Sequence, residues 1–385
     1  MATSLRGLCR LNISLANNAF FKYNFINAGV RCMYTERDLG VSSYENTRYV
    51  FRNQFMTIEN TFREKMQEIC QDENGVIYTE DLKAMIHLAQ ANEDDMQLLN
   101  LMLEKFIQNQ EEKKFGKYIF GPVVMRMYYH LNQPQYALKA FDSDTLKDSF
   151  DYRTSFRILM CLLYKNNMFK EMREIYQKIL DKKGIDYIGS SNVLMYAGCM
   201  KESTPEALEF ALNHWKEQYD KVKPSIRSCA LLSCLAIKNG KPNVALDILS
   251  TVPLEKVMSI RGLKMLAYVH LGRYIQIIPL LKYGLDQDGI TRKSRYFFAD
   301  VICELEEKLK TENVEESKQL HNLIEQARKQ DFIQTTYTLE EFILRPMMFA
   351  TRFKESNLEN TEDRRRIRNR YSHKPEQKIE LKNYL

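Results

Sequence analysis

TSFRILMCLLYKNNMFKEMREIYQKILDKKGI, residues 154–185, decides the fold of this chain. Its apolar residues Phe156, Leu159, Met160, Leu163 and Tyr164 recur at helical spacing, Asn166-Asn167 interrupts, and Met168, Phe169, Met172, Ile175, Tyr176 and Ile179 resume the rhythm. Two amphipathic helices joined by a tight polar turn follow from that pattern. A lone hairpin of this size cannot bury both apolar faces, so it requires a similar neighbour on each side.

The rest of the chain supplies those neighbours. Comparable hairpins read from Tyr78 to Ile107, Lys117 to Phe141, Ser190 to Trp215, Ser225 to Leu249 and Ser259 to Leu285. From Asn132 to Asn167, Glu202, Gly240 and Gly272 the turns lie 35, 35, 38 and 32 residues apart. A recurring interval with the same content is a repeat array, here about six hairpins over 76–290. Pro134 and Pro205 stand in the first turn of second helices, where proline is favoured.

Around the array, Tyr49 to Cys70 reads as one long helix within an N-terminal cap at 36–75, and Val301 to Gln330 as a charged helix. A shorter helix over Leu339 to Met348 completes a helical cap at 291–350. With 14 Gly and 9 Pro in 385 residues, helices are favoured over turn-rich β-architecture, so the expected fold is all-α, a right-handed α-solenoid with capping helices. Eight cysteines form no CxxC pair and no zinc-type spacing, which points to buried thiols in a reducing compartment.

Residues 1–35 carry Arg6, Arg10, Lys22 and Arg31 but no Asp or Glu, the composition of a mitochondrial transit peptide, with cleavage expected near Arg31 to Glu36. A secretory signal is excluded for want of a continuous apolar core. The whole chain is +6, but residues 36–385 hold 52 basic and 50 acidic side chains. A globally basic nucleic-acid binder is therefore excluded, and any RNA contact has to rest on a local patch. Residues 351–385 read as a flexible basic tail.

The segments TSFRILMCLLYKNNMFKEMREIYQKI, AIKNGKPNVALDIL and HLGRYIQIIPLL resemble the pentatricopeptide pattern: an extended Thr-Tyr/Phe opening, a first helix, a Lys-x-Gly turn, then Ala-Leu-x-Ile/Leu-Phe. The Trp and Leu-Gly-Tyr signature of tetratricopeptide arrays does not recur. The resemblance covers roughly residues 110–290. It implies an α-solenoid that binds single-stranded RNA in organelles, here in the mitochondrial matrix, one base per repeat, with no cofactor, and a role in maturation, processing or stability of transcripts needed for the respiratory chain. RNA-processing or ribosomal proteins are the implied further partners.

In the family, bases are read chiefly by the fifth residue of each repeat together with the last. Counting back ten positions from each turn gives Pro122, Arg157, Asn192 (or Val193, the fourth turn being irregular), Ala230 and Gly262, of which only Asn192 fits the family's usual choices. If residues 2, 5 and 9 of a repeat share one helical side, Arg126, Arg157 and Arg227 point into one concave groove, with Arg261 beside them. Such arginines offer charge to phosphates and planes to bases. The competing reading makes them solvated or ion-paired surface residues. Arg364, Arg365 and Arg366, followed by Arg368 and Arg370, form a tail cluster suited to phosphates or to plain solubility.

No catalytic constellation emerges. Gly184 and Gly189 before Ser190-Ser191 imitate a phosphate loop without its lysine. Glu93-Asp94-Asp95 opens a helix, where the dipole favours acids. The six histidines are scattered, and His214-Trp215 has the character of a packing position. The expectation is a non-catalytic RNA-binding factor, against a helical-repeat adaptor or mitoribosome-associated scaffold that uses the same face for protein.

Overall fold

Left-handed residues punctuate the chain at the places where the hairpins turn. Among the described residues, positive φ at Asn132, Asn167, Ser203, Gly240 and Gly272 marks five successive turns. The fourth turn is centred on Ser203, one residue beyond the expected Glu202, which brings the intervals to 35, 36, 37 and 32 residues. Four of the five close as Schellman caps, in which two orphan carbonyls of the first helix are satisfied at once. The outer bonds run from Gln133 N to Tyr128 O at 2.9 Å, Met168 N to Leu163 O at 3.0 Å, Lys241 N to Ala236 O at 2.9 Å and Arg273 N to Tyr268 O at 2.9 Å. At the remaining turn the Ser203 amide bonds Cys199 O at 2.9 Å.

The computed structural model describes residues 33–112, 118–219, 221, 224–251, 257–286, 295–311 and 316–346, all within the unit Arg31–Leu385. The hairpins are α4 (Thr79–Leu88) with α5 (Glu93–Glu112), α6 (Gly121–Leu131) with α7 (Pro134–Asp142), and α9 (Arg153–Lys165) with α10 (Phe169–Lys183). There follow α12 (Ser191–Glu202) with α13 (Pro205–Tyr219), α14 (Ile226–Lys238) with α15 (Pro242–Ser250), and α16 (Met258–His270) with α17 (Ile277–Asp286). Single-turn helices α8 (Lys147–Phe150) and α11 (Ile185–Ile188) link hairpins.

First helices stack in order, α6 on α9, α9 on α12, α12 on α14 and α14 on α16, and each second helix also meets the next first helix, as α10 does α12 and α15 does α16. The core runs along this contact as a continuous seam, the all-α solenoid expected of the sequence. In α9 the residues Phe156, Leu159, Leu163 and Tyr164 are all fully buried.

The chain ends differ from expectation in three places. The long N-terminal helix is divided: α1 (Glu36–Leu39) and α2 (Val41–Phe55) precede α3 (Glu59–Gln71), with the break at Met56–Ile58. The apolar period passes through the break because Phe55 and Phe62 still meet, edge to face, with ring centroids 5.3 Å apart. The charged helix is two helices, α18 (Ala299–Thr311) and α19 (Ser317–Lys329), flanked by a two-residue parallel bridge of β1 (Phe297–Phe298) with β2 (Ile333–Gln334). The last helix, α20, spans only Leu339–Ile343. Of the transit-peptide expectation over 1–35, residues 1–32 lie outside the described residues, as does the tail with Arg364, Arg365 and Arg366, while Met33 and Tyr34 are buried and Thr35 caps α1.

The turn chemistry gives a direct test. Gly240 has φ +68° and open space where a Cβ would stand, so Gly240→Val meets backbone strain and no clash. A loss of about 1–2 kcal/mol in urea-unfolding free energy is expected. Gly240→Asn, which tolerates this conformation, retains most of the stability.

Candidate nucleic-acid interface

Both ends of the chain return to the first helices. α1 packs on α9, α2 packs on α4 and α6, and at the other end α20 packs on α14 and α16. These two straps are built alike. Each starts at a threonine with a capping box, Thr35 with Asp38 and Thr338 with Glu341, which satisfies orphan donors at the helix start. Each ends on an arginine from a first helix. Arg126 donates through Nε to Leu39 O at 2.8 Å. Arg227 donates to Ile343 O through Nε at 3.1 Å and Nη2 at 2.9 Å, and also to Arg345 O. A cation at these carbonyls meets the negative end of a short helix.

Arg126, Arg157 and Arg227 stand six, ten and thirteen positions before their turn residues, so steps of four and three keep them on one helical side. The structure thus brings the three onto a common face, and on that face the chain itself engages them. Arg157 lies over the Tyr34 ring, 5.2 Å from its centroid, and reaches Ser190 Oγ at 3.4 Å, where Tyr34 OH also donates at 2.9 Å. Its buried Nε has no acceptor among the described residues. Burial lowers the Arg126 and Arg227 pKa from the ordinary arginine value, and both still carry charge at neutral pH.

Arg261 and Asn192 sit eleven positions before their turns, one residue out of line and so about 100° around the helix. Arg261 is accordingly 1% exposed, donates to Tyr296 O at 2.8 Å and lies 4.8 Å from the Phe297 ring centroid. Desolvation lowers its pKa to about 10. Asn192 accepts from Tyr176 OH at 3.1 Å.

That contact belongs to a buried relay. Tyr176 Oη and Tyr196 Oη lie 2.8 and 2.9 Å from Nε2 and Nδ1 of His214. Since the Tyr176 hydroxyl gives its proton to Asn192, it accepts from His214 Nε2–H, and Nδ1 accepts from Tyr196. Burial keeps the ring neutral, with a pKa lowered to about 4.

A second column of side chains escaped the sequence reading. His130, Lys165, Lys201, Lys238 and His270 each stand two residues before a left-handed turn residue, in the segments HLN, KNN, KES, KNG and HLG. The signal was available as a basic residue in fixed phase with the turns. Four positions from the Arg126 phase, the column lies on the arginine face at its turn edge. Acids from the flanking elements occupy much of it. His130 Nδ1 is 3.1 Å from Glu45 of α2, His270 Nε2 is 2.9 Å from Glu304 of α18, and Lys201 and Lys238 lie 3.5 and 2.6 Å from the two oxygens of Glu340 in α20. Lys165 is exposed, with its ammonium 4.9 Å from the Tyr129 ring centroid.

Such a face can hold a flexible polyanion or a protein segment, and its fold class is that of helical-hairpin repeat proteins. Among the described residues no three His, Cys, Asp or Glu side chains are arranged to hold a metal, and no helix is long and apolar enough to cross a membrane.

Comparison with known proteins finds relatives of one kind. The chain is homologous to mitochondrial pentatricopeptide repeat-containing protein 2, being 23% identical over 242 residues to that of Xenopus laevis, 62% of this chain and 63% of the relative. With the Mus musculus protein it shares 25% identity over 258 residues, 66% of each chain, and with the Danio rerio protein 26% over 146 residues, 38% of each. The matched segment spans less than two thirds of each of these relatives. No family model and no solved structure matches the chain.

Removing the clamp should loosen the strap. Arg227→Ala leaves the end carbonyls of α20 without a cation, and a loss of about 2 kcal/mol with faster amide exchange over residues 339–346 is expected. The relay sets a pH dependence of its own. Because folding lowers the His214 pKa to about 4 from 6.5, the unfolded chain takes up the proton first. Stability is therefore lost as pH falls from 6.5 towards 4, by at most about 1.4 kcal/mol per pH unit. Urea-unfolding midpoints from pH 7 to 5 measure this, and His214→Phe should flatten the slope.

Proposed function

We propose that this chain is a non-catalytic, mitochondrial RNA-binding factor that holds a short single-stranded segment against the edge of its first helices, in the matrix, for maturation, processing or stability of transcripts needed by the respiratory chain. One observation carries the reading: the column His130, Lys165, Lys201, Lys238 and His270, which repeats a basic group in each of five successive hairpins and so can follow a phosphate backbone. The names of the homologous proteins support the mitochondrial setting.

In this reading Arg157, with an unmatched Nε and an aromatic neighbour, joins Lys165 at the centre of the track. Arg126, Arg227 and Arg261 act on RNA through the segments they fix, and Asn192 contributes through the amide group that Tyr176 leaves free. Arg364, Arg365 and Arg366 add contacts without sequence information.

A second reading has its own observation. The straps fill much of the face, while Tyr49 on α2 and Met56 just beyond it are 70% and 76% exposed, as an adaptor for a processing enzyme or a ribosomal protein would leave them.

Titration of the full chain with labelled single-stranded RNA at several salt concentrations tests the first reading. Contact with about three phosphates predicts a slope of log K against log salt near −2. Lys165→Glu with Arg157→Ala should weaken binding by about tenfold or more. Unchanged binding in this variant would remove the track as the site. Co-precipitation after nuclease treatment then separates the readings, because a protein partner survives and an RNA partner does not.

A further inference from the structure

One carboxylate stands between two rungs of the basic column. Glu340 approaches Lys238 Nζ at 2.6 Å through one oxygen and Lys201 Nζ at 3.5 Å through the other, and all three side chains are 33–36% exposed. The lysines occupy equivalent places in successive hairpins, so two repeats converge on a single anion.

Glu340 is not what builds its helix. The α20 cap is made by its neighbour, since Glu341 Oε2 accepts from Thr338 N at 3.1 Å while Thr338 Oγ1 accepts from Glu341 N at 3.1 Å. Asp300 Oδ2 accepts from Leu339 N at 2.8 Å, Leu339 and Ile343 are each 3% exposed, and Arg227 closes the carbonyl end. With the helix anchored at its start, core and end, the Glu340 side chain can leave the lysines while the backbone stays.

We propose that the Glu340 carboxylate is an internal phosphate surrogate, closing a two-lysine anion site that a phosphodiester of single-stranded RNA takes over by displacing it. This regulation rests on the RNA reading given above. In the free chain the two ammonium groups already share one carboxylate charge at high effective concentration, so an incoming phosphate gains only the difference between two anions. The contact lowers affinity for every RNA, and it favours ligands whose phosphates engage neighbouring rungs at the same time.

The test uses the full chain, wild type, Glu340→Gln and Glu340→Gln with Lys201→Gln, against a labelled unstructured single-stranded RNA. Glu340→Gln should bind about tenfold more tightly, with a salt slope steeper by about 1, and the added Lys201→Gln should reverse most of the gain. Amide exchange over residues 338–346 should match wild type, which shows that α20 has stayed in place. Where the wild type binds RNA, equal or weaker binding by Glu340→Gln overturns the inference.

A readout without RNA separates this outcome from failure of the RNA reading. With inorganic tripolyphosphate as probe, protection of the Lys201 and Lys238 amines from acylation should appear at several-fold lower concentration in Glu340→Gln than in wild type. Equal protection curves overturn the surrogate role even where RNA binds. If RNA binding is absent in every variant while the protection curves differ, the internal anion site stands and the RNA reading falls.

Discussion

A guanidinium on the end carbonyls of a short helix is the interaction on which the arrangement of this chain depends. Four- and five-residue helices such as α1 and α20 are too short to persist alone, since nucleation is costly and the dipole end is unpaired. Arg126 and Arg227 supply the missing partner from the solenoid, and in return the charge of each arginine is held on a face of near-neutral surroundings. Without these clamps the end carbonyls of both straps would lose their cation, leaving apolar contacts and a few polar ones, such as Leu339 N to Asp300 Oδ2, to hold them.

The repeats were legible because their information is local. A hairpin needs apolar residues at helical spacing and a residue that tolerates the left-handed region, and Asn132, Asn167, Gly240 and Gly272 announce both. Ser203 did not announce itself, which displaced the fourth turn by one residue and with it the orientation assigned to Asn192. The straps were illegible for the opposite reason. Leu39 and Arg126 are 87 residues apart and Ile343 and Arg227 are 116, and nothing local marks a backbone carbonyl as the destination of an arginine. The break between α2 and α3 was hidden because a core-facing period continued across it.

The same distinction applies to the interface. Counting positions back from the turns puts Arg126, Arg157 and Arg227 on one helical side, but charge alone does not say what a cation faces. The basic column needed only the phase of the turns, a periodicity of one residue rather than of a pattern, and it is spread over five segments that share no other feature. Two of its rungs are histidines and three, Lys165, Lys201 and Lys238, are lysines.

Gly262 gives the array a property of its own. A Cβ there would stand 3.0 Å from a Phe298 ring carbon and 3.3 Å from Leu339 Cδ1, so this position is empty because the chain's own end fills it. Ala230, ten residues before its turn as Gly262 is before its own, lines a cavity of about 370 Å³ with Phe342 and Ile343. Two successive repeats thus give the same inner position to a segment from beyond the array, so the last hairpins are shaped by what packs on them, and a hairpin added there would need a strap of its own to fill the matching gap.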